Sequence, residues 1–290
     1  MSRRVLFPVV AVFGASLLFG LVAGPIGAAL LDKEPFIPVP EVELAPPRLL
    51  SIGAFHVTNT LVSAWLTTVL VLLLFVGGTR KMKVIPGRLQ SVLEMLVEAL
   101  YGFISGVVGE RFARPFFPIL ATIFIFIAFN AWMALIPVYQ VLTLEVDGHA
   151  THVLRSAGTD INMPLALAIV AFVFIEVWGF KVHKIGYLKE FFRFKSPIEF
   201  FIGILELISH FIRLVSFTFR LFGNMLAGEI ILLMITFLLI FTAPLAFYML
   251  ELLVGGVQAL VFTGLTLVFA LLAVAPHVGE HEEHDEKAAH

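Results

Sequence analysis

Six continuous apolar runs dominate the chain, at residues 5–31, 56–77, 115–137, 162–180, 197–241 and 244–276. A helix of about 20 apolar residues crosses a bilayer core, and every run is of that order or longer. The runs are unbroken rather than alternating, which excludes membrane-spanning strands. What is left is an all-α polytopic membrane protein. Composition agrees: 60% of the 290 residues are apolar and only 14% charged, where soluble domains carry about 25% charged residues. The net charge is −2, with no basic stripe, so disorder and nucleic-acid binding are excluded. The chain has no Cys, hence no disulfide, iron–sulfur cluster or thiolate metal site. No metal and no cofactor are expected.

The basic residues orient the spans. With residues 1–4 inside, fourteen of the nineteen Lys and Arg fall on inner segments and three, Lys33, Arg48 and Arg155, on outer ones. The remaining two, Arg213 and Arg220, sit within an apolar run. This bias puts the C-terminus in the cytoplasm. Residues 1–31 read as a signal peptide or an extra transmembrane helix, since Arg3 and Arg4 precede an apolar stretch ending in small residues. Residues 32–55 form an external Pro-rich linker and 56–277 the membrane domain. Within it helices are expected at 56–77, 89–107, 115–137, 162–180, 197–241 and 244–276. In the second of these, Gln90, Glu94 and Glu98 recur every four residues, so that helix is amphipathic and lies along the interface. Residues 278–290 read as a solvated acidic tail, and His149 and His152 as surface residues.

Charge inside the last two runs is the unusual feature. Six groups lie between 197 and 276: Glu199, Glu206, Arg213, Arg220, Glu229 and Glu251. A charge at mid-membrane costs at least a few kcal/mol to insert. Glu199, just after Pro197, can snorkel from a helix end. Arg220 cannot, and Arg213 is open to a structural ion pair. Glu206, Arg213 and Arg220 are seven apart and Asn224 extends their face, while Glu251 and Gln258 are also seven apart. These are polar seams that face protein or water. A turn is expected at Thr242–Ala243–Pro244. In an antiparallel hairpin about it, residues at equal depth have position numbers of constant sum. Arg220 and Gln258 sum to 478, Glu229 and Glu251 to 480. The run at 197–241 would make a helix about 67 Å long, so the hairpin is steeply tilted or begins along the interface.

Arginine keeps its proton in proteins, so Arg220 is a fixed cation that attracts a carboxylate and blocks proton leakage. Glu229 and Glu251 at one depth form a carboxylate pair. Two such groups do not readily ionise together, and one is expected to keep its proton near neutral pH. Glu206 serves the other side of the Arg220 barrier. Outer carboxylates, a central cation and an inner carboxylate suit two offset half-paths for protons. An arginine without a carboxylate at its own depth calls for an anion from another subunit.

The segment Arg220-Leu-Phe-Gly-Asn-Met-Leu-Ala-Gly-Glu229 resembles the signature of subunit a of the F-type ATP synthase. Pro86-Gly-Arg-Leu-Gln90 followed by Glu94 resembles the family's PGxxQxxxE stretch, and Asp160-Ile-Asn162 its external D-x-N element. Glu206, Ser209, Arg213 and Ser216 stand at the family's spacing before the arginine, and Gln258 matches its last-helix glutamine. The likeness covers roughly residues 50–277. It implies a hairpin packed against a rotating ring of c subunits, with peripheral-stalk b subunits and the other synthase subunits as further partners. It implies a place in the cell's inner membrane. Arg220 would face the ring carboxylates, with Asn224 and Gln258 beside it. Glu229 and Glu251 would belong to the outer inlet and Glu206 to the inner outlet. Gly223 and Gly228 would let the ring approach closely. Three positions depart from the pattern: Glu251 stands where His is frequent, Leu214 where Pro is common, and Asn130 is one residue out of register with Pro137. Asn130 is not carried over.

Another proton-coupled transporter is the alternative. It would be marked by inverted repeats and broken helices, and the sequence shows neither. No G-x-x-x-x-G-K-[ST] is present, so ATP chemistry does not belong to this chain and it is not catalytic alone.

Overall fold

The computed structural model describes residues 11, 14–16, 18–22, 24–31, 45–53, 55–146, 149–187, 196–239 and 242–275. Most of the expected linker (32–44), residues 1–10 of the N-terminal segment and the whole expected tail (278–290) lie outside the described residues. Helix α1 (Pro25–Leu31) is followed by β1 (Arg48–Ile52), β2 (Phe55–Thr58) and α2 (Asn59–Thr79). Next come α3 (Arg88–Ala134), the short α4 (Val138–Val141), β3 (Thr143–Val146) and β4 (His149–His152). Two 3-10 turns, Ala157–Thr159 and Lys184–Tyr187, flank α5 (Asn162–His183), and α6 (Pro197–Leu238) and α7 (Thr242–Val274) complete the chain. Five of these helices are long and apolar enough to cross a membrane: α2, α3, α5, α6 and α7. The protein is an all-α polytopic membrane protein.

Helix α2 shows why. Asn59, Thr60, Ser63 and Thr67 are buried, while Trp65, Val69, Leu72 and Leu73 are more than half exposed. The polar stripe points into the protein and the apolar face points out, the reverse of a water-soluble helix.

Several boundaries differ from the sequence expectation, each for a local reason. The stretch before α2 is a β-hairpin rather than an extended linker. Strands β1 and β2 pair antiparallel around Gly53, whose φ of 63° suits a residue without Cβ. Helix α2 therefore begins at Asn59, where the Thr58 hydroxyl accepts from the Leu61 N–H at 3.3 Å, an N-cap. A second hairpin, β3–β4, carries His149 and His152. The stretches expected at 89–107 and 115–137 are joined in α3, interrupted only at Gly109, whose φ of 73° and ψ of 164° lie outside the helical region. The helix stops at Ala134, ahead of Pro137, because a residue before proline is disfavoured in helix. The expected turn at Thr242–Ala243–Pro244 is instead the start of α7. Proline is tolerated there because the first N–H groups of a helix have no intrahelical acceptor.

By compactness the chain divides into two units. The first comprises Met1–Leu74, Ile125–Met163 and Phe219–Ala259. Its centre is a loop, residues 155–159, tied to several helices by hydrogen bonds described below. The second comprises Phe75–Phe124, Pro164–Thr218 and Leu260–His290. Its core is apolar and aromatic: Ile104, Phe116, Leu120, Ile175 and Leu267 are fully buried. The Phe116 ring meets Phe174 and Trp178 edge-on, with centroids 5.2 and 5.0 Å away, a favoured aromatic geometry.

Candidate functional site

In the first unit, the loop before α5 is placed by residues of three helices. The Arg155 N–H donates to the Ser63 hydroxyl of α2 at 3.0 Å. Asn130 of α3 accepts from the Ala157 N–H at 3.1 Å. Gly158 lies against Met225 of α6, so close that a Cβ there would stand 2.8 Å from the Met225 Cγ. Asp160 closes the loop: its carboxylate accepts from the Asn162 N–H at 3.1 Å and from the Asn162 amide at 2.8 Å. Its other oxygen accepts from the Thr60 hydroxyl at 3.0 Å. Asp160 is thus the N-cap of α5 and a tie to α2, which gives the D-x-N element a structural reason.

This loop delivers Arg155 to Glu229. The guanidinium Nε lies 3.0 and 3.2 Å from the two carboxylate oxygens. The Arg155 side chain is only 9% exposed and that of Glu229 39%. Glu251 of α7 lies one residue away along α6, its carboxylate filling the space where a Cβ at Gly228 would be. Positions 228 and 251 fall in the hairpin register read from the sequence. Trp132 of α3 steadies α7 by donating its indole N–H to the Leu252 carbonyl at 2.9 Å. Gly255 permits this contact, since a Cβ there would stand 2.7 Å from the Ala131 methyl.

The remaining sequence-derived residues of this unit differ in exposure. Arg220 is half-buried, with Nη1 shielded from solvent. Asn224 and Gln258 are also half-buried. Gly223 is exposed, and open space surrounds the position of a Cβ. Gly228 is buried against Glu251, so its small size serves a contact within this chain.

The second unit holds the other carboxylate. Glu206 is 43% exposed, and its Oε1 lies 3.8 Å from Nε2 of His210, one turn on along α6. Nδ1 of the same imidazole meets Glu176 Oε1 of α5 at 2.6 Å. Among the described residues Arg213 makes no ion pair within 4 Å; its guanidinium stacks 4.0 Å above the centroid of Phe269, a cation–π contact. Gln90 of the PGxxQxxxE stretch has a structural task as well. Its amide donates to Glu94 at 2.7 Å and clamps the Lys83 backbone at 3.1 and 3.2 Å.

Spacing along the chain does not single out Arg155, Glu176 or the tie made by Asn130. Arg155 and Glu229 are 74 residues apart, and no periodicity spans that distance. Glu176 did carry a signal, since it is an acid within an apolar run, as conspicuous as those of α6.

Chemically the two groupings differ. A guanidinium holds its proton, so Arg155 has none to pass to Glu229 or to take from it. An imidazole accepts a proton on one nitrogen and releases one from the other.

Comparison with known proteins bears on both. The family model described as ATP synthase A chain matches residues 61–270. A protein named ATP synthase subunit a 3, from Pelobacter propionicus, is 37% identical over 229 residues, 78% of this chain and 90% of that protein. ATP synthase subunit a of Gloeobacter violaceus is 32% identical over 257 residues, 88% of this chain and 99% of that protein. The protein of that name from Helicobacter pylori is 32% identical over 217 residues, 74% and 88% of the two chains.

Proposed function

The chain belongs to the ATP synthase A chain family of proton-translocating membrane subunits, and from that premise we propose how its residues move protons. Arg220 is the gate. It faces the carboxylates of a rotating c-ring, which pass it only when ionised and turn toward lipid only when protonated. Two offset half-channels serve the ring. One runs by Glu229 and Glu251 from the outer face, with Asn224 and Gln258 lining the surroundings of Arg220. The other runs by Glu206 to the cytoplasm, where the C-terminus also lies. Of the inlet carboxylates, Glu251 takes the proton, because Glu229 is engaged by Arg155. Gly223, open on the surface of α6, gives the ring room to approach. The subunit sits in the cell's inner membrane and is held beside the ring by peripheral-stalk b subunits. A membrane potential of 100 mV supplies about 2.3 kcal/mol per proton, so several protons are coupled to each ATP.

The observation that carries this reading is a charged arginine, Arg220, within the 42-residue apolar helix α6 of a member of this family. Replacing Arg220 by Ala in the assembled synthase should abolish proton-driven ATP synthesis in vesicles. Retained synthesis would overturn the assignment.

A further inference from the structure

His210 sits between two carboxylates on two helices, and neither the family signature nor the Arg220 gate assigns it or Glu176 a task. The imidazole side chain is 9% exposed, Glu176 18% and Glu206 43%, so the imidazole is the least accessible of the three and stands between two more accessible carboxylates. The Phe172 ring stands edge-on to the imidazole, with centroids 6.4 Å apart at 84°, and walls off one side. Among the described residues, Arg213, three residues along α6, and Tyr187 of the 3-10 turn are further charged and titratable groups of this neighbourhood. Arg213 acts electrostatically on Tyr187, Glu176 and Glu206. It keeps its own proton and cannot relay one.

We propose that His210 and Glu176 continue the proton path beyond Glu206, with the imidazole as relay and Glu176 as the receiving carboxylate. This rests on the translocating role of Glu206 given above. Glu206, in its acid form, passes its proton to Nε2, while the proton on Nδ1 passes to Glu176 Oε1. Glu206 is left a carboxylate, Glu176 becomes the acid, and the imidazole remains neutral with its proton on the other nitrogen. Glu176 then releases the proton to water at the Lys181 end of α5, and the starting tautomer is regained when the imidazole exchanges protons with water, taking one at Nδ1 and giving one up from Nε2. The 2.6 Å step from Nδ1 is already within transfer distance, and the 3.8 Å step needs closure or one intervening water.

The test uses the complete synthase reconstituted in vesicles, with assembly checked by co-purification of the subunits. ATP synthesis and ATP-driven proton pumping are measured for His210→Gln and Glu176→Gln while the pH on the Lys181 side of α5 is varied from about 5.5 to 8.5. His210→Gln keeps a donor toward Glu176 but cannot relay, so both rates should fall about 100-fold and lose their dependence on that pH. Glu176→Gln, nearly the same shape, should lose about 10-fold. Rates within about twofold of wild type, with an unchanged pH profile, would overturn the relay. If His210→Gln does not assemble, Glu176→Gln decides by the same readout. An Arg220→Ala complex run alongside separates the two failures. Transport surviving Arg220→Ala removes the translocating reading itself, whereas transport lost there but intact in the His210 and Glu176 variants removes only the relay.

Discussion

Glu229 and Glu206 lie on the same helix and each meets a nitrogen base, but the bases differ in kind. Glu229 meets a guanidinium carried by a loop, at 3.0 Å and nearly buried. Glu206 meets an imidazole on its own helix, at 3.8 Å, which in turn is bound to a second carboxylate. The first arrangement fixes a carboxylate in place with a cation that never titrates. The second is a chain of groups each able to gain and lose a proton. One helix thus carries one carboxylate held by a cation that keeps its proton and another beside a base that can exchange one, and the partner residue makes the difference.

Exchanging the partners is the sharpest way to break that contrast. His210→Arg puts a non-titrating cation between Glu206 and Glu176, and proton-driven synthesis should fall about 100-fold or more while the complex still assembles. Undiminished synthesis would erase the distinction. Next in size, Glu229→Leu leaves the Arg155 guanidinium nearly buried without its counter-charge. The isolated complex should lose about 3 kcal/mol of stability, read as a fall in its thermal midpoint, and Arg155→Met added to it should recover part of the loss. Gly228→Ala is milder. Its Cβ meets the Glu251 carboxylate, which has to shift, at about 1–2 kcal/mol. Synthesis at limiting proton gradient should drop several-fold if Glu251 carries the proton. Smallest is Thr60→Val, which removes one donor to Asp160 and should cost about 1 kcal/mol in thermal stability, with little change in turnover.

The spans and the hairpin register were legible because both follow from rules that act along the chain. Apolar length sets a span, and the constant sum about a turn paired Glu229 with Glu251, one residue from position 228, where the Glu251 carboxylate lies. The turn itself was misplaced by its proline, which reads as a breaker although the first turn of a helix accepts it. The two β-hairpins were hidden because strands of four or five residues beside an apolar run present too short an alternation to register. The pairing of Arg155 with Glu229 was beyond any periodicity, being set by how Ser63, Asn130 and Met225 hold a loop. Glu176 was legible in principle: the reasoning that isolates charges in α6 isolates it in α5.

The Arg155–Glu229 pair also bears on how the molecule is made. The two residues are 74 positions apart, and the arginine is synthesised first. It sits in a loop, where water can solvate it while it waits. The glutamate enters the bilayer later, as part of α6, and inserting such a charge costs a few kcal/mol. The ion pair therefore forms only once α6 has been made, together with the contact of Gly158 with Met225 that helps to place the loop, and it ties the order of synthesis to the architecture of the finished site.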